Sequence, residues 1–179
     1  MIYLYIYYIL LVILMSPPGV WGPPIWRFFH ILAENIHEED YNRLIPQIFY
    51  FIKRICLYLP CPDCSEHATK FLSKIKPSEI SNKKEFKNML YLFHNMVNAK
   101  KRKPLFDYSN LNIYKNVNIF ITFNQFASVY NTKGNMKTLT ESFQRQIIIK
   151  DLKQWITNHA ASFYPRSEML QNTNTIVDN

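Results

Sequence analysis

Cys61 and Cys64 are the residues of this sequence whose types and spacing are best suited to chemistry. The chain has three cysteines, clustered as Cys56, Cys61 and Cys64. Three are too few for a disulfide scaffold, and their clustering argues against scattered core residues. Two cysteines separated by two residues at a helix start lie close enough for a disulfide, and the helix N-terminus stabilises the thiolate of the outer one. The C-x-x-C pair therefore predicts thiol–disulfide redox chemistry.

Two other kinds of site use the same residues. With His67, the three cysteines would provide four ligands for a tetrahedral zinc ion, although their spacing is more compact than the usual two-knuckle arrangement. A thioredoxin-like domain would place the pair after a β-strand, whereas the segment before Cys61 has a helical hydrophobic pattern. A zinc-stabilised helical interaction module is therefore the main alternative to a redox enzyme.

The cysteine pair is one of a series of motifs. Trp21 begins W-G-x-x-x-W, Cys61 begins C-x-x-C-x-x-H, His94 begins H-N-x-V-N, and Lys103 begins K-P-x-F-D. In this order the motifs resemble the Erv/ALR family of FAD-linked sulfhydryl oxidases, over roughly residues 21–115. The resemblance implies an all-α fold, in which a four-helix bundle with a short fifth helix holds FAD, and it implies a homodimer.

The resemblance also implies roles for individual residues. Cys64 would be the cysteine next to the flavin, and Cys61 the outer one that a substrate thiolate attacks. Lys103, helped by Lys100 or Lys101, would meet the FAD pyrophosphate, and Tyr114 would take the place of a tryptophan that packs on the adenine. No metal is expected. The full set of predicted cofactor-binding residues is Trp21, Trp26, His30, His67, His94, Asn95, Val97, Asn98, Lys100, Lys103 and Tyr114.

The activity that the resemblance implies is FAD-dependent oxidation of protein dithiols by oxygen, which produces disulfides and hydrogen peroxide. Many relatives carry a further cysteine pair or a cysteine after the F-D of the last motif. Here Asp107 is followed by Tyr108, and no cysteine follows Cys64. The protein would therefore take electrons directly from a protein dithiol or from a thioredoxin-like carrier. This small cysteine set resembles the versions of large cytoplasmic DNA viruses, which places the expected activity in the host cytoplasm or the virion.

The elements that must position these residues are predicted to be helices. Pro23 and Pro24 favour a helix start, and Leu59-Pro60 and Pro104 favour helix ends. For the fourth helix, Ser78 or Ser81 is expected to form a capping arrangement with Glu85. The predicted helices are 24–36, a second that Asp40 caps and that ends near Tyr58, a third from Cys61 to before Pro77, and a fourth that ends at Lys100–Lys103.

The two ends of the chain differ from this middle part. An apolar run over 2–15 is shorter than the roughly 17–25 residues of a membrane-spanning helix. It is expected to be a membrane anchor or signal anchor, or alternatively a docked arm or an extension from an upstream start. One or two short helices are expected within 107–130, a turn at 131–135, a long helix over 139–161 and a polar tail from Pro165. The predicted division is 1–18 as a hydrophobic segment, 19–118 as the oxidase domain and 119–179 as a helical extension.

Composition agrees with a small helical domain. The 179 residues are 48% hydrophobic and 19% charged, which excludes global disorder. Only three glycines occur, which argues against a Rossmann domain or a hairpin-rich β fold. A net charge of +8 suits an anionic partner such as a phosphorylated cofactor, a membrane surface or a nucleic acid. Nucleic acid is not expected, because the basic segment near Lys100 is short and lacks an aromatic stripe.

Overall fold

The computed structural model describes residues 17–131 and 139–163, and within these ranges the fold is all-α. The described part contains no β-strand, so the predicted fold class is confirmed. The apolar run over 2–15, most of the predicted turn after Asn131 and the polar tail lie outside the described residues. The helices are α1 (Pro18–Asn35), α2 (Glu38–Leu57), α3 (Pro62–Leu72), α4 (Lys83–Lys100), α5 (Ile119–Tyr130) and α6 (Leu139–Asn158), with 3-10 helices at Pro77–Ile80, Tyr108–Tyr114 and Ala160–Ser162.

The first helix begins earlier than predicted. Pro18, not Pro24, is at the start of α1, and Pro23 and Pro24 lie inside the helix. A proline inside a helix removes a backbone hydrogen bond, so this arrangement requires compensation. Burial of Trp21, on the turn before the two prolines, provides apolar stabilisation there. The prediction took the proline pair as a helix start because the sequence does not show that Trp21 is buried.

The predicted cap of α2 is wrong, and the capping arrangement predicted for α4 is confirmed in its pairing of Ser81 with Glu85 but not in the residue that caps the helix. His37 precedes the first residue of α2, and Asp40 lies in the first turn, where its carboxylate pairs with Arg43 and suits the helix dipole. At α4 the cap is Asn82, whose side-chain oxygen accepts from the backbone N–H of Glu85 at 3.0 Å. The Glu85 carboxylate accepts in turn from the backbone N–H and the hydroxyl of Ser81, at 3.0 and 2.7 Å. By contrast, α3 begins directly after Cys61, as predicted.

One hydrophobic core joins the helices. α1 packs against α4, α5 and the 3-10 helix at Tyr108–Tyr114, while α2 packs against α3 and α6. The core continues without a break into residues beyond 118, since Phe126 of α5 is fully buried and stacks on Phe28 of α1 at a centroid distance of 4.8 Å. Within the described ranges 119–131 and 139–163, the helices therefore share the core of the helices that carry the cysteines. Among the described residues, no helix has both the length and the apolar character needed to span a membrane.

Candidate active site

The reactive pair lies at the N-terminus of α3. Cys61 and Cys64 are joined by a disulfide, with their Cα atoms 5.2 Å apart. Cys61 is the residue before the helix and has extended backbone angles, and its Sγ accepts the backbone N–H of Cys64 at 3.2 Å. The free N–H groups and the dipole of a helix N-terminus favour negative charge. When the disulfide is reduced, this position stabilises a thiolate on Cys61.

The disulfide forms part of the wall of a cavity of about 720 Å³. This volume lies within the roughly 300–1,000 Å³ that is typical of small-molecule and cofactor sites. A Cβ added at Gly22, in the wall, would meet no other atom within 4 Å, so the space beside this residue is open. The aromatic residues that line the cavity are Trp21, Trp26, Phe29, Phe71, Phe93, Phe106 and Tyr114.

Flat rings from α1 and α4 are stacked at the cavity. The indole of Trp26 lies on the imidazole of His94, with a centroid distance of 4.3 Å and an interplanar angle of 9°. Phe93 meets the Trp26 ring edge-on at 5.0 Å and stacks on Phe71 of α3 at 4.6 Å. Such planar walls suit a flat aromatic ligand.

A histidine pair lies behind this wall. A ring nitrogen of His30 and one of His94 share a hydrogen bond of 3.1 Å, and His30 also stacks on Tyr114 at 5.1 Å. Burial lowers the pKa of His30 to about 3, with a further lowering by His94. Burial and then the charge of Lys103 lower the pKa of His94 to about 4. Both rings are therefore neutral near pH 7, and the N–H of one donates a hydrogen bond to the ring nitrogen of the other.

This pair predicts a loss of stability in acid. Because the folded pKa values are depressed below the ordinary 6.5, the unfolded chain binds protons that the folded chain does not. The stabilisation is complete above pH 6.5 and declines as the pH falls towards 4. For His30, the cost between pH 7 and pH 5 is about 2 kcal/mol, and it is less for the more exposed His94. Urea unfolding of the wild type and of His30→Gln at both pH values measures this cost. Equal pH dependence in the two proteins would contradict the role of His30.

Lysines supply positive charge to the cavity. Its charged lining comprises Lys70, Lys74, Lys100, Lys101 and Lys103, with Asp63 as the acidic residue. α4 ends in a turn in which Arg102 has a φ of 53° and the Lys103 N–H donates to the carbonyl of Asn98 at 2.9 Å. Such a turn satisfies the last carbonyls of a helix and reverses the chain. It brings Lys103 back to the cavity beside Asn98.

His67 has a partner across the cavity. Its Nε2 accepts a hydrogen bond from the ammonium group of Lys100, which links α3 to α4. The ring lies one helical turn after Cys64, and it lines the cavity with both cysteines.

The structure brings together all but two of the predicted site residues. Those that line the cavity are Trp21, Trp26, Cys61, Cys64, His67, His94, Val97, Asn98, Lys100, Lys103 and Tyr114. His30 lies behind His94, as described above. Asn95 is outside the lining, because its side-chain amide donates to the carbonyl of Phe106 at 3.0 Å and accepts the Phe106 N–H at 2.7 Å. In this geometry Asn95 holds Phe106, whose ring stacks on His94 at 5.2 Å.

Several lining residues were missed by sequence reasoning. Phe71, Lys70 and Lys74 follow the C-x-x-C pair and line the cavity. The sequence did contain a signal for Phe71 and Lys74. They follow His67 at intervals of four and three residues, so the three residues lie on the same side of a helix.

The alternative of a zinc site is not supported by the geometry. Cys61 and Cys64 are bonded to each other, and Cys56 is a buried free thiol whose pKa is raised by burial. In the ranges that the structure describes, no group of three or more histidine, cysteine or acidic side chains could hold a metal ion.

Comparisons with known proteins agree with this geometry. The family model described as Erv1 / Alr matches residues 23–117. The 347L protein of Invertebrate iridescent virus 6 is 30% identical over 94 residues, which cover 49% of this chain and 85% of the relative. An African swine fever virus protein named FAD-linked sulfhydryl oxidase is 32% identical over 101 residues, covering 54% of this chain and 78% of the relative. A rice protein named FAD-linked sulfhydryl oxidase ERV1 is 29% identical, over 51% of this chain and 46% of the relative. The search of solved structures found no match.

Proposed function

The chain belongs to the Erv1/Alr family and is a FAD-linked thiol oxidase, and we propose that its Cys61–Cys64 disulfide and the adjacent cavity carry out this reaction. The observation that supports the proposal most strongly is the position of the disulfide in the wall of an aromatic, lysine-lined cavity. A redox-active disulfide and a site for a flat, phosphorylated cofactor are thereby next to each other. Protein dithiols are the electron donors and oxygen is the oxidant.

The residues of the cavity fit FAD. Its flavin and adenine rings need flat apolar walls, which Trp26, Phe93 and Tyr114 offer, and its pyrophosphate needs cations. Lys103 and Lys100 would hold the pyrophosphate, with Lys101, Lys70 and Lys74 adding to the positive field. Asn98 and His94 would provide polar contacts at the rings, and His30, through its hydrogen bond, would fix the orientation of His94.

The protein's own chemistry is disulfide exchange. A substrate thiolate attacks the Cys61 Sγ, the bond between Cys61 and Cys64 breaks, and Cys64 leaves as a thiolate. The second substrate thiolate attacks the substrate sulfur of the mixed disulfide, and Cys61 leaves. The substrate is then a disulfide, and the two enzyme thiolates take up the two protons that the substrate thiols lost, so the enzyme holds a dithiol and no proton is released overall. The helix N-terminus and the Cys64 N–H stabilise the departing Cys61 thiolate, so the second exchange is favoured. FAD held by these residues would supply the electron acceptor for this dithiol and the transfer of two electrons to oxygen, which would yield hydrogen peroxide.

The absorbance spectrum of the purified protein tests this function. We expect a yellow protein whose flavin band disappears on anaerobic addition of a dithiol and returns when oxygen is admitted. Hydrogen peroxide should form in proportion to the oxygen consumed. A colourless protein that contains stoichiometric zinc would contradict the proposal and favour the zinc-stabilised module.

Further features of the protein stay predictions. The resemblance implies a homodimer and permits a thioredoxin-like carrier as an intermediate donor. Membrane association through residues 2–15 was expected from the apolar run, which lies outside the described residues. The viral relatives support the proposal that the protein acts in a virus-infected cell, in the host cytoplasm or the virion.

A further inference from the structure

The C-terminal end of α2 is bonded to residues outside the region that the family model matches. The last carbonyl groups of a helix have no partners within the helix. Here the hydroxyl of Tyr130, in α5, donates to the carbonyl of Ile55 at 3.0 Å. The guanidinium of Arg145, in α6, donates to the carbonyl of Tyr58 at 3.4 Å. Two residues beyond residue 117, where the family match ends, thus donate hydrogen bonds to carbonyl groups at the end of the helix that precedes the cysteine pair.

Arg145 makes this contact from inside the core. The residue is only 1% exposed, and burial lowers its pKa. Arginine nevertheless stays charged, because its ordinary pKa is above about 12. Its guanidinium lies 4.0 Å from the Glu141 carboxylate and at the negative end of the α2 dipole, both of which offset the cost of burying the charge.

The same end of α2 supports the disulfide. Only Leu59 and Pro60 separate Tyr58 from Cys61, and three residues span at most about 11 Å. Leu59 is buried, and the Ser65 hydroxyl of α3 donates to the carbonyl of Leu57 at 2.5 Å. The end of α2 is therefore attached to the cysteine-bearing helix on one side and to the C-terminal segment on the other.

We propose that Arg145 is a positioning residue for the Cys61–Cys64 pair, an inference that rests on the proposed function of this pair. Through the Tyr58 carbonyl, Arg145 fixes the short segment that holds Cys61 at the start of α3. That position allows the Cys61 Sγ to accept the Cys64 N–H and so stabilises the reduced form. The C-terminal segment is thus part of the redox site.

Reduction equilibria of the full-length protein test this role. Wild type, Arg145→Met and Arg145→Lys are equilibrated anaerobically with glutathione buffers, and reduced cysteines are counted by alkylation and mass spectrometry. For Arg145→Met we expect the equilibrium constant for reduction to fall about tenfold, which equals about 30 mV. Arg145→Lys keeps the cation and should recover most of this loss.

The matched control is Arg54→Met. Arg54, in the last turn of α2, pairs with Asp151 of α6 at 2.9 Å, so it joins the same two helices through a side-chain ion pair and not through the Tyr58 carbonyl. Its reduction equilibrium should equal that of the wild type.

A wild-type equilibrium in Arg145→Met, with only a lower melting temperature, would overturn the proposal and leave Arg145 a structural role. If Arg145→Met does not fold, Arg145→Gln retains a donor in the same place. For Arg145→Gln we then expect the equilibrium constant for reduction to fall about threefold, which in free energy is roughly half of the tenfold effect expected for Arg145→Met. An equilibrium constant equal to that of the wild type overturns the proposal. The assay counts thiols and requires no turnover, so a failure of the oxidase proposal would appear separately, in the absorbance spectrum.

Discussion

Replacing Cys64 with serine should abolish dithiol oxidation while the protein stays yellow. Without Cys64, Cys61 cannot form the intramolecular disulfide that a substrate thiolate attacks. The rings and lysines that surround the flavin in the proposed site are unchanged. We expect kcat to fall by at least about a thousandfold, as for the loss of a nucleophile. Oxygen consumption with dithiothreitol, measured alongside the flavin spectrum, checks both parts of this prediction.

Cys56→Ala is the matched control for that variant. Cys56 also borders the cavity, but it is a buried free thiol, and burial raises its pKa, so it is poorly suited to thiolate chemistry. Turnover by Cys56→Ala should stay within about threefold of the wild type. Substantial turnover by Cys64→Ser, or a loss of turnover confined to Cys56→Ala, would show that the reactive cysteines have been identified wrongly.

Replacing Phe126 with alanine should have the largest effect on stability. Phe126 is fully buried in α5, where it stacks on Phe28 at 4.8 Å and on Tyr130 at 5.1 Å. Truncating a buried phenylalanine costs about 3–5 kcal/mol, because apolar burial is lost and a cavity remains. This is a large share of the roughly 5–15 kcal/mol that stabilises a typical domain. Urea unfolding at a constant excess of FAD measures the loss.

Ile121→Ala, on the same helix, is the control. The Ile121 side chain is 59% exposed, so its truncation should change the free energy of unfolding by less than about 0.5 kcal/mol. If Phe126→Ala lowered stability no more than Ile121→Ala, residues 119–163 would fold apart from the bundle. A single cooperative transition with a much lower midpoint would instead agree with one shared core.

The sequence by itself determined the chemistry and most of the helices. Pro60 and Pro104 follow helix ends, as expected because proline lacks the N–H that continues a helix, whereas Pro23, Pro24 and Pro46 lie inside helices. Cys61 and Cys64 were placed correctly at a helix start for the same kind of reason. The motifs that begin at Trp21, Cys61, His94 and Lys103 supplied residues that line one cavity, although they are far apart in the chain.

Other features depend on contacts between distant segments. A motif shows that Asn95 is polar and near the site, but only the packed structure shows that its amide is bonded to the backbone of Phe106. The start of α1 at Pro18 depends on the burial of Trp21, which can offset unfavourable local geometry at two prolines.

The place of the C-terminal segment was decided by tertiary structure alone. Residues 119–163 carry no motif, and the helical pattern that predicted α6 does not specify which helix it contacts. The structure buries Arg145 at the end of α2 and Phe126 against Phe28, each across a long sequence separation. Helix propensity and capping act over a few residues, whereas the choice of packing partner depends on the shape and polarity of complete helix faces. For this reason the sequence predicted the reactive pair, and only the folded chain showed which residues contact the end of the helix that precedes that pair.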